Sequence, residues 1–337
     1  MSNPIRQHLV PRVYLKQFAL KERKDWFIDA YDTKNNKFVP SLNINNVCVN
    51  KEFYTFKKLP EENKRFLERF YGQTVESDYP EIYQALTNPK HIKISDNFRF
   101  KIISYIISQY WRTSKLTNTF NSFWNSTMEH AYNLMEEYSP ERIIQSGNQL
   151  ISFENRTFED YKLDSDEQNR EMINLNSYYR FKDLTLKRMN DSIMVSRMNS
   201  EHRLITSDNP VGTSKNIYDP LSWIRLPLDS RHIVSVVPCA DIASTDMPNK
   251  PNVHVNKIIT RVFLDKESSY FETTVFNYQQ FGQCEKFVLG KKADIDKVLA
   301  QRSMLDEKKF QQECEQHVSR LQDGLRGLKK AYGIPES

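Results

Sequence analysis

Asp191-Ser192-Ile193-Met194-Val195-Ser196-Arg197 and, a few residues on, Arg203-Leu204-Ile205-Thr206-Ser207-Asp208-Asn209-Pro210 decide the fold class. Upstream, apolar residues recur at helical spacing. Here they fall into short runs rich in β-branched residues, closed by a polar turn, which is the pattern of strands. Ile224-Arg225-Leu226-Pro227 and His232 to Val237 repeat it, and Cys284 to Leu289 reads as one more strand. Near the N-terminus, Trp26 to Tyr31 and Lys37-Phe38-Val39 flank the turn-rich Thr33-Lys34-Asn35-Asn36, a hairpin, and residues 44 to 56 read as extended.

Between these blocks, residues 60 to 147 read as helical. Pro60-Glu61-Glu62 suits a first turn, Phe66, Leu67, Phe70 and Tyr71 keep helical spacing, and Ser95-Asp96 caps a helix through Ile102, Ile106 and Tyr110. A third helix covers Phe120 to Tyr138, with Tyr110, Trp111, Phe123 and Trp124 read as core. Residues 148 to 172 are acidic and polar and read as an exposed connection, and residues 173 to 190 return to helix. Val255, Ile258, Ile259 and Val262 sit at helical spacing, and the charged stretch from Lys291 reads as a helical tail. The expectation is one α+β domain over residues 1–290. A mixed, mostly antiparallel sheet (25–56 and 191–290) would pack on the helical block, with a peripheral C-terminal helix over 291–337.

Composition narrows the function. The 337 residues carry a net charge of +5, an excess that permits contact with nucleic acid without requiring it. Eight glycines, with neither GxGxxG nor GxxxxGK[ST], argue against loops that cradle phosphates by close backbone approach. Cys48, Cys239, Cys284 and Cys314 are scattered without a CxxC pair, as expected of reduced thiols rather than a disulfide frame or zinc site. The longest apolar stretch, Ile102 to Trp111, is broken by Ser104, Ser108 and Gln109, so no membrane span is expected, and no secretion signal is read at the N-terminus. A cytoplasmic protein is expected.

His8, Pro11, Tyr14, Leu15 and Phe18 form an opening His-x-x-Pro-x-x-Tyr-Leu-x-x-Phe. After it come Asn46, Cys48, Phe53 and Tyr54, then Glu68 and Glu76, then Gln109-x-x-Arg112-Thr113, then Ser207 to Pro210, and finally Pro227-Leu228. This ordered set, over roughly residues 8 to 290, resembles a bacterial domain-of-unknown-function family, number 4238. The resemblance implies grouping and no activity.

The chemistry must come from the residues. Gln109 and Arg112 share a helix face and could fork around a phosphate or carboxylate. Glu68 and Glu76, eight apart, face similar directions. A polar turn at a strand tip is a common place for working side chains. His8, Glu76 and Asp208 are therefore the expected catalytic residues, Asp208 and Glu76 the expected ligands of a divalent metal ion, and Gln109, Arg112, Ser207 and Asn209 the expected substrate contacts. The expected activity is a hydrolase, of the metal-dependent nuclease kind, acting on a phosphate-bearing substrate such as nucleic acid, with a defence or toxin role suggested by analogy alone. The alternative is a non-catalytic binding or interaction protein in which the same residues form a structural salt-bridge network. A third option is a nucleotide glycohydrolase or transferase using Glu76.

Overall fold

The computed structural model describes residues 6–139, 141–238, 257–304 and 312. Strand β1 (Arg6–His8) leads through Pro11, which caps with extended backbone, into the single turn α1 (Arg12–Leu15). Strands β2 (Leu20–Glu22), β3 (Asp25–Asp32) and β4 (Lys37–Asn43) follow, the last two joined across the expected 33–36 turn. The stretch read as extended is mostly irregular. Only β5 (Val49–Lys51) is strand, and it pairs antiparallel with β1, setting His8 opposite Val49.

The helical block begins at α2 (Phe66–Phe70) rather than at Pro60, and α2 widens into a π-helical turn over Tyr71–Glu76. Helix α3 (Tyr79–Thr87) precedes α4 (Asp96–Trp111), where the Ser95 hydroxyl accepts from the Phe98 amide as a capping residue should. α4 is buried on nearly all sides, Ile102 to Gln109 without a break, so it is the central helix of the core. Helix α5 (Lys115–Tyr138) matches the third expected helix, although Phe123 on it is 69 % exposed and not core.

Residues 148 to 172 are not a connection. They hold β7 (Gln149–Ser152), the second strand of a hairpin with β6 (Ile143–Ser146), and then the first half of α6 (Phe158–Lys187), a helix of 30 residues. A capping box between Thr157 and Asp160 starts α6. Its buried positions are few and include Ser165, Asn174 and Ser177. The helix therefore shows almost no apolar stripe for a periodicity reading to find.

The remaining elements are β8 (Ser192–Arg197), β9 (Thr206–Ser207), β10 (Gly212–Thr213), β11 (Ile224–Pro227), β12 (His232–Val237), β13 (Ile259–Phe263), α7 (Lys266–Gln283), β14 (Phe287–Gly290) and α8 (Lys292–Ser303). They form not one sheet but two of five strands. One runs β10-β11-β12-β8-β13, antiparallel except for the parallel β8–β13 pair; the other runs β2-β3-β14-β9 with β4 also on β3. Ile258, Ile259 and Val262, read at helical spacing, belong to or adjoin β13, a short apolar run that period alone does not separate from helix. Val255 and the tail beyond Met304, apart from residue 312, lie outside the described residues. α8 is not peripheral: Ile295 and Val298 are buried with Ile205 and Val288. One apolar cluster runs from Leu9 through α4 to Leu289, so the N-terminal segment, the helices and both sheets share a core.

Candidate functional site

The scattered sequence motifs meet at the C-terminal end of α4. The Arg112 guanidinium, 2 % exposed, donates through Nη2 to Oε1 of Glu76 (2.8 Å) and to the His8 carbonyl (2.9 Å). It lies 4.7 Å from the Tyr71 ring centroid, a cation–π contact supplied by the π-helical turn that also carries Glu76. π-helical turns often occur at functional sites. Burial works most strongly against the Arg112 charge, but the Glu76 carboxylate and the neighbouring Tyr54 and Tyr71 together outweigh burial and keep the guanidinium protonated. Burial likewise raises the Tyr71 hydroxyl to about 12.

Residues given no chemical role in the sequence reading complete the network. Tyr54 donates through its hydroxyl to the Arg112 carbonyl (2.6 Å), and its amide is accepted by Gln7 Oε1 (2.6 Å). Gln7 Nε2 donates in turn to Glu68 (2.8 Å). Glu68 and Glu76 therefore do turn towards the same N-terminal segment, on different partners. Thr113 donates to Asn209 Oδ1 (2.9 Å), which ties the end of α4 to the Ser207–Pro210 turn, and the Tyr14 and Thr206 hydroxyls meet at 2.7 Å. Tyr14, Tyr54 and Thr113 stood inside the motifs. Gln7, Gln280 and Gln283 did not, and no spacing in the sequence points to them.

The turn itself is spent on structure. Ser207 donates to Gln280 Oε1 (2.8 Å), and Asn209 exchanges bonds with Gln283 through Nδ2 (3.0 Å) and its carbonyl (2.6 Å). Asp208 accepts from the backbone amides of Glu285, Lys286 and Phe287, each at 2.8 Å, and so holds the entry to β14. Burial raises the Asp208 carboxyl above its ordinary range despite those amides. With both its oxygens bonded to backbone and Glu76 bonded to Arg112, the two expected metal ligands do not fit a shared ion. Among the described residues no group of three or more His, Cys, Asp or Glu side chains could hold one. Ser207 and Asn209, both buried, are likewise unavailable as the expected substrate contacts.

What remains open lies along α4. Tyr105, Gln109 and Arg112 follow at spacings of four and three, on one face. The Tyr105 hydroxyl, Gln109 Oε1, and Arg112 Nε and Nη1 are all buried without a hydrogen-bond partner, as is the hydroxyl of Tyr79, whose ring stacks on Tyr105 at 4.4 Å. Gln109 therefore lies on the Arg112 face as expected but makes no bond to it; its Nε2 reaches only the Ser108 hydroxyl at 3.4 Å. The members of the network that face solvent are Glu76, 25 % exposed, and half-buried His8. Two cavities are described, and the motif residues line neither. One of about 590 Å³ lies between α3 and the start of α4, and one of about 20 Å³ lies beside His232.

His8 Nε2 lies 3.3 Å from the Ile44 carbonyl. A carbonyl only accepts, so the ring proton sits on Nε2 and Nδ1 keeps its lone pair. Burial first, then the Arg12 charge, lower the imidazole below 6.5, against the Ile44 carbonyl and Glu76. The unfolded chain thus binds this proton more tightly than the folded one, and stability is lost as pH falls from the ordinary imidazole value to the lower folded one. Melting curves across that window should show His8→Asn losing less on acidification than the native chain. An identical loss in both would remove His8 as the source.

The model of a family described as "Protein of unknown function (DUF4238)" matches residues 6–294. No curated protein and no solved structure matches the chain.

Proposed function

The chain belongs to DUF4238, a family whose description assigns no function, and we propose that it is a cytoplasmic hydrolase holding a phosphate-bearing substrate at Arg112. One observation carries this reading: Tyr105 and Arg112, on one face of α4, leave buried donors unpaired. Buried polar groups are normally satisfied, so an unpaired set of this kind suits an oxyanion or ordered water. His8 supplies the complementary chemistry. Its free Nδ1 takes the proton of a water as the water oxygen bonds to phosphorus, and the leaving oxygen departs with that proton while Arg112 carries the developing charge. Asp208, Ser207 and Asn209 have no part in this, and no metal is required of them. Among phosphate-bearing substrates, including nucleic acid, the burial of Arg112 favours a terminal phosphate over the continuous backbone of a duplex. Free thiols at Cys48 and Cys284, and the lack among the described residues of any helix long and apolar enough to cross a membrane, support the cytoplasmic assignment.

Tyr105→Phe tests the reading without endangering the fold, since removing a buried hydroxyl that has no partner costs little or stabilises. That variant should melt at or above the native temperature yet bind inorganic phosphate several-fold more weakly by calorimetry. In a screen of chromogenic phosphomonoesters and phosphodiesters, His8→Asn should abolish any turnover seen with the native chain. Unchanged phosphate affinity in Tyr105→Phe overturns the proposal.

A second reading, the non-catalytic interaction protein, is favoured by the turn at Ser207 to Asn209, whose side chains all go to structure. On that reading the Arg112 network is a fastening between the N-terminal segment, α4 and the second sheet, and Tyr105→Phe changes no ligand response.

A further inference from the structure

A second cluster lies on the first sheet, at the β11–β12 turn and along the start of β12. Asp229, in the turn between β11 and β12, accepts from the amides of Arg231 (2.7 Å) and His232 (2.9 Å) and from the Tyr83 hydroxyl (2.8 Å). Both its oxygens also lie within 3.0 Å of His232 Nδ1. A carboxylate only accepts, so Nδ1 carries the proton and the ring is held in one orientation, with Nε2 left for the small cavity that His232 lines.

Two guanidiniums line the same cavity. Arg197 pairs with His232 across β8 and β12, so their side chains leave the same face of the sheet. It is exposed, and its guanidinium makes no hydrogen bond or ion pair among the described residues. Arg261, from β13, spends Nη1 and Nη2 on the carbonyls of Ala85, Leu86, Asn88 and His91, which closes the C-terminal end of α3, but its buried Nε has no partner. The charges at this place are two guanidiniums against the one carboxylate of Asp229. The free guanidinium nitrogens donate to charged oxygens of a ligand, while His232 Nε2, a lone pair in this tautomer, accepts from a protonated one.

We propose that Arg197, His232 and the Nε of Arg261 form an oxyanion-binding site, separate from Arg112, that takes a carboxylate or phosphate group. The cavity, about 20 Å³, has room for one oxygen. The rest of the group lies outside it, in reach of the free Arg197 fork, whose planar donors match either anion.

The test is a titration of the full chain with inorganic phosphate and, separately, with sodium acetate, followed by the ring resonances of labelled histidines. The His232 signal should move saturably with at least one probe. Response to phosphate alone assigns a phosphoryl ligand, and response to acetate alone assigns a carboxylate. In Arg197→Gln, a surface change that leaves the fold intact, the affinity should fall about tenfold or more. A His232 signal that neither probe moves, or a response undiminished in Arg197→Gln, overturns the site. The His8 signal reports the Arg112 region in the same spectra, so failure of one site is distinguishable from failure of the other.

Discussion

An Arg112→Ala protein is expected to lose about 3–4 kcal/mol of stability, in the range measured when one partner of a buried ion pair is removed. Three contributions combine. The Glu76 carboxylate loses its counter-ion, the His8 carbonyl loses its donor, and the space beside the Tyr71 ring is left as a void. The residual exposure of Glu76, 25 %, lets water take over part of its solvation, which places the expectation at the lower end of that range. Urea unfolding, with the slope unchanged and the midpoint shifted, measures it. Arg112→Lys keeps the charge and loses the fork, so it should recover part of the stability and little of any phosphate affinity. A loss below about 1 kcal/mol in Arg112→Ala would mean that the pair behaves as a surface salt bridge and fastens nothing.

The second large effect belongs to Asp208. Asp208→Ala strips three backbone amides of their acceptor at the entry to β14. Each unsatisfied buried amide costs about 1–3 kcal/mol, and because Lys286 lies at the surface, water relieves part of this, leaving about 2–4 kcal/mol. Hydrogen exchange gives the local readout: amides of residues 285 to 287 should exchange far faster in Asp208→Ala, and β14 should open before α4. Asp208→Asn keeps one acceptor oxygen and should fall between. If the amides stay protected, Asp208 is not what holds this turn. If instead hydrolytic turnover were found and vanished in Asp208→Asn with protection intact, the catalytic role expected for Asp208 would return.

Some of this architecture was written in local pattern. The hairpin of β3 and β4, the Ser95 start of α4, and the runs at 192, 224 and 232 are visible because a strand or an amphipathic helix repeats its apolar residues at a fixed period. α6 escaped that reading because its buried positions are few and include polar residues such as Ser165, Asn174 and Ser177. β13 escaped because a short apolar run carries no period of its own. The ordered motifs pointed to the right neighbourhood: His8, Glu76, Arg112 and Asn209 do belong to one bonded network. Their roles were not legible, since a side chain's partners are set by contacts across tens or hundreds of residues. Asp208 looked like a loop carboxylate open to a metal or a proton, yet its partners come 77 to 79 positions later.

By itself the order of residues determined the mixture of helix and strand, the absence of phosphate-cradling glycine loops, and which polar residues stand at the ends of apolar elements. Tertiary structure alone decided that the strands divide into two sheets, that the Ser207–Asn209 turn is consumed by α7 and β14, and that unpaired donors gather along one side of α4. The reason is physical. Period and propensity act between residues a few positions apart, whereas a buried hydrogen bond exists only after the chain has brought distant donors and acceptors together and excluded water from between them.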